Sequence, residues 1–591
     1  MNLVTKQVNG CEYFYLVEKE RRGTRVVTSR TIYIGNRQKL VELIQKSASE
    51  ALPESFAPQS VGAALALSAV ADDLELEKII DSVCPARKGA ARVGRRLLLA
   101  AIHRVLAPRS ENGICNLLSW YEGSFLADRY PNLAPALDDR RMCEMLARLT
   151  NKQVDGIEAA VVQRLIETEG VSTNALAFDC TNFDSYASAR SKSRLLQRGH
   201  GKSGKSLRVM GLGLLASDDE GMPLLTFAYP GNENDVTAFG RFLRALDRRR
   251  ASLELPLETT VAADGGNISK QLLLRLEKDP RYYVMRLPPH HLKEIERCKR
   301  EELKELSGRL KGKVRASKYQ RSVYGVDRCV VDVYSKRMHH RQLPGLRRDR
   351  DLARGDLIRL QQLLERQRQG LRRNKPLTIR AIKRRVEKAL DREHMESIFK
   401  VEIAQGELAP TLTFVESDEA VKQLEDYVLG RTLLVTNRGD WTPEQIVLAS
   451  RIQARNENIF RDLKDPGGPS MVPLRHRRDK TLRAHALVVV LGLILAKVMQ
   501  RRLKKVGVEA QSIGSILRPL KEVQRARVQY SKDAPAALRA LAADAWIPSA
   551  RTPRQLELLK ALNLLDHPDL GTTLETHLSP KRRGNQKEKA A

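Results

Sequence analysis

Between residues 174 and 288 the apolar pattern switches repeatedly between the period of a strand and that of a helix, and this alternation constrains the fold more than any other feature. NALAFD is a short apolar run that Asp179 ends. SLRVMGLGLLAS and MPLLTFAYP are longer runs separated by DDEG, which predicts a hairpin. NDVTAFGRFLRALDRRR has an amphipathic helical spacing, with Asn234 or Asp235 as cap. TTVAAD follows as a fourth strand, ended by Asp264 and the glycines Gly265 and Gly266. SKQLLLRLEKD reads as a helix and RYYVMRLP as a fifth strand.

The order β-β-β-α-β-α-β predicts an α/β core of ribonuclease H-like fold, a mixed five-stranded sheet with helices. Asp179 then ends the first strand and Asp264 the fourth. A third carboxylate, Glu457, lies in SRIQARNENIFRDLK. Thr442, Pro443 and Gln445 form a helix start and Asp465-Pro466-Gly467-Gly468 a stop, so one helix of roughly 22 residues is expected between them. Ile452, Ile459 and Leu463 mark its packing face, with Phe460 beside it. Glu457, Arg461 and Lys464 share another face. Taken alone, Glu457 and Arg461 read as a solvated i,i+4 pair. Joined to two strand-end aspartates, Glu457 reads as the third hard-oxygen donor of a site for two divalent cations, a device that breaks and joins phosphodiesters.

The charge agrees. Lys and Arg total 103 against 71 Asp and Glu, a net charge of +32, and such an excess favours a polyanion over a membrane surface. Aromatics make up only 5%, too few for a platform on which single-stranded bases stack. The seven cysteines contain no CxxC, which supports neither a zinc ribbon nor a disulfide framework, and a reducing compartment fits. The N-terminus has no signal-like apolar block. The longest apolar run, Ala486 to Ala496, has about half the ~20 residues a spanning helix needs, so it is expected in a core.

Composition and spacing divide the chain into six expected segments. A small β meander with a helix takes residues 1–60, and a helical region that is expected to bind DNA takes 61–170. The catalytic core takes 171–289 and 430–500 around a mixed α+β insertion at 290–429. A helical C-terminal region, 501–575, precedes a basic tail at 576–591 whose composition predicts disorder.

Gly199-His200-Gly201-Lys202-Ser203-Gly204-Lys205-Ser206 matches the phosphate-binding P-loop pattern literally. That motif works only between a strand and a helix N-terminus. Here the preceding residues are polar and basic and the following ones read as a strand. The segment is therefore expected to be a basic loop whose Lys202 and Lys205 touch DNA backbone. His290-His291 and His339-His340 lack the spacing of metal ligands and are expected at the surface. Asp184, Asp218 and Asp219 compete with Asp179 as ligands, but Asp218 and Asp219 sit at a hairpin tip, where acidic residues are ordinary turn formers. Cys180 has no evident base and reads as filler.

At these residues the chain resembles a DDE transposase of bacterial insertion sequences, of the branch with a large insertion between the second Asp and the Glu. FDCTNFDSY resembles the family's first block, VAADGGNIS its second and NENIFRDLK its third. RGHGKSGKSLRVMGLGLLASDDEGMPLLTFAYPGNENDVTAF and LRHRRDKTLRAHALVVVLGLIL resemble the blocks that follow the first Asp and the Glu. Two positions depart: Ser450 and Gln453 stand where the family has a Tyr and an Arg that handle DNA ends. The resemblance implies that Asp179, Asp264 and Glu457 hold two Mg²⁺ (or Mn²⁺) ions about 4 Å apart. It implies hydrolysis at transposon ends and then attack of the freed 3′-hydroxyl on target DNA, with Arg461 and Lys464 on phosphates. The partner is double-stranded DNA, both terminal inverted repeats and target, bound by a homodimer in a bacterial cytoplasm. The alternatives are a catalytically inactive DNA-binding regulator of the same fold and a P-loop ATPase partner of a recombinase.

Overall fold

The structure is a computed structural model. It describes residues 2–8, 11–22, 25–42, 53–86, 91–108, 116–188, 190–199, 207–249, 255–256, 259–278, 281–288, 291, 298–371, 377–406, 409–530 and 546–571. The chain divides into two compact units: one of residues 1–146, 465–470 and 488–591, the other of 147–464 and 471–487.

The second unit contains the expected sheet. Its strands β1 (Ala175–Ser185), β2 (Arg208–Ser217) and β3 (Pro223–Pro230) form an antiparallel meander. The helix α1 (Asp235–Arg249) leads to β4 (Thr260–Ala263), and α2 (Lys270–Glu277) to β5 (Tyr282–Arg286). Asn234, rather than Asp235, caps α1: its Oδ1 accepts the Thr237 N–H at 2.9 Å. β4 lies parallel to both β1 and β5, giving the order β3-β2-β1-β4-β5. The sheet does not stop at five strands. The hairpin of β6 (Val314–Val323) and β7 (Val326–Ser335), together with β8 (Arg431–Thr436), continues it, with β8 antiparallel to both β5 and β7. With the two-residue strands Gln197–Arg198 and Lys304–Glu305 the sheet has ten strands.

The expected insertion at 290–429 is thus divided. Its first part extends the core sheet, because Val330, Val331 and Val333 are buried against β8. The remainder builds a separate apolar cluster from α3 (Lys336–Arg368), α4 (Ile379–Leu390) and the hairpin Phe399–Ala404/Thr411–Glu416, centred on Leu357, Ile382 and Met395. One face of the main sheet packs Phe178 and Phe227 against Phe239 and Phe242 of α1; the Phe178 and Phe242 centroids are 4.1 Å apart. Gly213 permits this, since a Cβ there would meet the Phe227 ring at 2.2 Å. The other face holds Ala177, Val284, Val331 and Leu434 under α5 (Pro443–Arg451). The helix Asn151–Glu169, expected with the N-terminal helices, belongs to this unit; its buried Glu158 is ion-paired to Arg249 at 2.6 Å and accepts the Thr226 N–H at 2.9 Å.

The first unit opens with an antiparallel meander of Asn2–Val8, Cys11–Arg22 and Arg25–Asn36. Its helices include Gly62–Asp73, Leu76–Val83 and Val93–Leu106. The C-terminal region is not wholly helical. QRARVQY alternates at the strand period, and Gln524–Tyr530 pairs with Pro53–Ser60. Among the described residues one helix is long and apolar enough to cross a membrane, α7 (Asp479–Lys505), but 94% of its apolar window is buried in protein. It is a core helix, as the length of the run predicts. The basic tail lies outside the described residues.

Candidate active site

Asp179 does not end its strand. β1 runs six residues further, to Ser185, because Thr181, Phe183 and Ser185 alternate inward with polar neighbours. What does end at this level is the parallel partner. Phe178 pairs with Ala263 on the last rung between β1 and β4, so Asp179 and Asp264 are the next residues on two adjacent parallel strands. Asp264 is still extended, at φ −82° and ψ 164°. Gly265 lets the chain turn there at close quarters, since a Cβ would lie 2.9 Å from the Arg286 carbonyl oxygen. Phe178 faces α1, so the alternation puts Ala177, Asp179, Thr181 and Phe183 on the opposite face.

The helix that carries Glu457 lies on that same face. The expected single helix is two, α5 and α6 (Gln453–Lys464), broken at Ile452. There the Ile452 N–H reaches back to Ala449 and the Arg455 N–H to Ile452, three residues each, in place of the helical four. The break lets both helices bury an apolar stripe: Ile446 and Val447 on α5, Ile459 and Leu463 on α6. α6 is hydrogen-bonded to β1. Asn456 Nδ2 donates to the Ala177 carbonyl at 3.0 Å, and Lys464 Nζ donates to Thr181 Oγ1 at 2.6 Å, with the Phe183 ring centroid 5.5 Å away. Glu457 follows Asn456 and is exposed.

Arg461 and Lys464 of this helix differ. Arg461 is exposed and, among the described residues, has no carboxylate partner; the solvated Glu457–Arg461 pair does not form. Lys464, expected to point at DNA, is turned onto β1. Ser450 donates to the Val447 carbonyl of its own helix at 2.8 Å, and Gln453 Nε2 is buried. Lys202 and Lys205 lie outside the described residues. What flanks that segment is the antiparallel pair Gln197–Arg198 and β2, so a strand rather than a helix follows it and the P-loop context is absent among the described residues.

Asp219 is a turn former: its Oδ1 accepts the Glu220 N–H at 2.8 Å. His291 and His339, expected at the surface, are buried, the latter with Nδ1 3.5 Å from the Leu429 carbonyl. Sequence reasoning passed over Asn456 and gave Thr181 no role beyond its place in FDCTNFDSY. Their partners lie 279 and 283 residues away, so no local pattern marks them.

Three carboxylates supply hard oxygen donors of the kind divalent cations take. Asp179 Oδ1 accepts the Cys180 N–H at 2.7 Å. Among the described residues the Asp264 and Glu457 carboxylates make no hydrogen bond or ion pair, so their lone pairs are available. The donor set fits such an ion. The arrangement is open: among the described residues no three His, Cys, Asp or Glu stand close enough to close around a metal.

A ribonuclease H-like α/β core within a large mixed sheet, with two aspartates on neighbouring strands and a glutamate on the covering helix, defines a class of DNA-processing folds. The sequence matches the transposase DDE domain over residues 174–493, more than half of the chain, and the protein belongs to that family. No curated protein matches the sequence. Among solved structures it is similar to a piggyBac transposase in a synaptic complex with hairpin DNA, determined by cryo-EM. The likeness has a TM-score of 0.36 at 10% identity, over 89% of this chain and 91% of that one, too low to bear on function.

Proposed function

We propose that this transposase binds the ends of a bacterial insertion sequence, cleaves the DNA by metal-dependent hydrolysis and joins the freed 3′-hydroxyl to target DNA. The observation that supports the proposal is that Asp179 and Asp264 directly follow the last shared rung of parallel strands and that α6, the helix carrying Glu457, packs on β1. In this reading the three carboxylates hold two Mg²⁺ or Mn²⁺ ions, which supply an activated water or hydroxyl and neutralise the leaving oxygen. Arg461 positions a phosphate without reading sequence, and Lys202 and Lys205 add backbone contacts. The excess of 103 basic over 71 acidic residues supports double-stranded DNA as partner, and we assign a homodimer on that DNA.

The test uses duplexes that carry the inverted repeats flanking the gene. The full chain with Mg²⁺ or Mn²⁺ should cut at the repeat ends and give covalently joined products with a target plasmid. Specific binding without any cleavage across metals and repeat lengths would instead mark a DNA-binding regulator.

A further inference from the structure

Hydrogen bonds join α6 to β1 on either side of Asp179. Asn456 reaches Ala177, two residues before it, and Lys464 reaches Thr181, two residues after it. Both donors come from the helix that carries Glu457, one of them its immediate neighbour. Asn456 is fully buried among Ile459, Leu463 and the sheet, and its Oδ1 has no partner among the described residues. A buried amide that makes one bond and leaves its oxygen unmet is expensive as packing; a leucine would fill the space at less cost. Lys464 gives up part of its hydration for a hydroxyl and the Phe183 face. Neither choice is what apolar helix packing alone selects.

We propose that Asn456 and the Lys464–Thr181 pair are positioning residues that fix the Glu457 carboxylate against Asp179, and that divalent-ion affinity depends on them. The proposal rests on the metal reading above. Apolar contacts at Ile459 and Leu463 hold α6 on the sheet but allow it to slide or roll. Two directional bonds on either side of Asp179 remove those freedoms along the strand. That matters because, among the described residues, no three His, Cys, Asp or Glu side chains stand close enough to enclose a metal, so the spacing of the carboxylates depends on the elements that carry them.

Mn²⁺ binding to the full chain, read as loss of the free-ion signal in electron paramagnetic resonance, tests this without requiring turnover. Thr181→Val keeps the side-chain volume and removes the acceptor; Asn456→Leu removes the donor. Each should raise the Mn²⁺ dissociation constant by about tenfold, the lower end for lost partners that orient metal ligands. Thr181→Ser should restore the wild-type value. Thr181→Val and Lys464→Met combined should weaken Mn²⁺ binding no more than either alone. Affinity of Thr181→Val for the repeat DNA without metal should stay within about twofold of wild type, an order-of-magnitude allowance for an interface left untouched. Should Asn456→Leu fail to fold, the Thr181 series decides. Thr181→Val that is folded and binds Mn²⁺ like wild type overturns the proposal, as does a loss of thermal stability with Mn²⁺ affinity unchanged. If wild type itself shows no Mn²⁺ binding that Asp179→Asn removes, the function proposed above fails, a result distinct from an intact wild-type site that ignores these variants.

Discussion

The bond between the core sheet and its extension makes a quantitative prediction. Asp332 on β7 and Arg431 on β8 are both fully buried and form a two-point ion pair, with Arg431 Nε 2.9 Å from Asp332 Oδ1. The remaining guanidinium protons go to the carbonyls of Cys298 at 2.9 Å and Asp426 at 3.3 Å, and Tyr319 donates to Asp332 at 3.4 Å. Asp332→Asn leaves the positive charge buried without its counter-charge, which costs about 3–5 kcal/mol. With about 2–4 °C lost per kcal/mol in a domain of this scale, the melting temperature should fall by roughly 6–20 °C. Asp332→Leu with Arg431→Met removes both charges and should recover most of the loss, since an apolar pair of similar volume often matches a buried ion pair. Differential scanning calorimetry of the full chain reads both variants. Asp332→Asn within about 1 kcal/mol of wild type would refute the reasoning, because only a solvated or mobile pair behaves so.

Two further outcomes follow from buried and exposed cations. His103 is buried beside Trp120, and burial, then the neighbouring Arg104 charge, pushes its pKa down to about 3 from 6.5. The folded state refuses a proton that the unfolded chain takes up below pH 6.5, so the stability this group contributes is present above that pH. It is lost as pH falls toward 3, at about 1.4 kcal/mol per unit and about 5 kcal/mol in all. Calorimetry from pH 7 to 4 should show that slope in wild type and a shallower one in His103→Gln; equal slopes would remove His103 as the cause. Arg461→Ala should weaken repeat binding and lower the slope of log K against log salt by about one, without changing which sequence is preferred. An unchanged slope would make Arg461 a bystander.

Much of the catalytic unit was legible because its strands are short and apolar and each is closed by a turn or a carboxylate. All five strands of the core and both connecting helices follow from period alone. The failures have physical causes. An aspartate after NALAF reads as a strand end, yet the period-two alternation of Thr181, Phe183 and Ser185 carries β1 on. The capping box at Thr442 and the stop at Asp465 frame one helix, while the break at Ile452 answers to packing on a sheet assembled from distant segments. β6 and β7 read only as part of a mixed insertion, since their partner β8 lies about a hundred residues on and no local pattern announces a pairing across that distance. The same applies to the candidate site: the carboxylates announce themselves by context, whereas Asn456 and Thr181 matter only through contacts 279 and 283 residues long.

The central claim is that Asp179, Asp264 and Glu457 act together on DNA, and strand cleavage by the single variants tests it most directly. Wild type, Asp179→Asn, Asp264→Asn and Glu457→Gln are compared on one end-labelled repeat duplex with Mg²⁺, and binding to the same duplex is measured in parallel. Each substitution keeps the shape of the side chain and removes its charge. All three should lose cleavage by at least about a thousandfold, as expected when an electrostatic contributor to the transition state is removed, while repeat affinity stays near wild type. Full cleavage by any one of them removes that residue from the site, and full cleavage by all three contradicts the account.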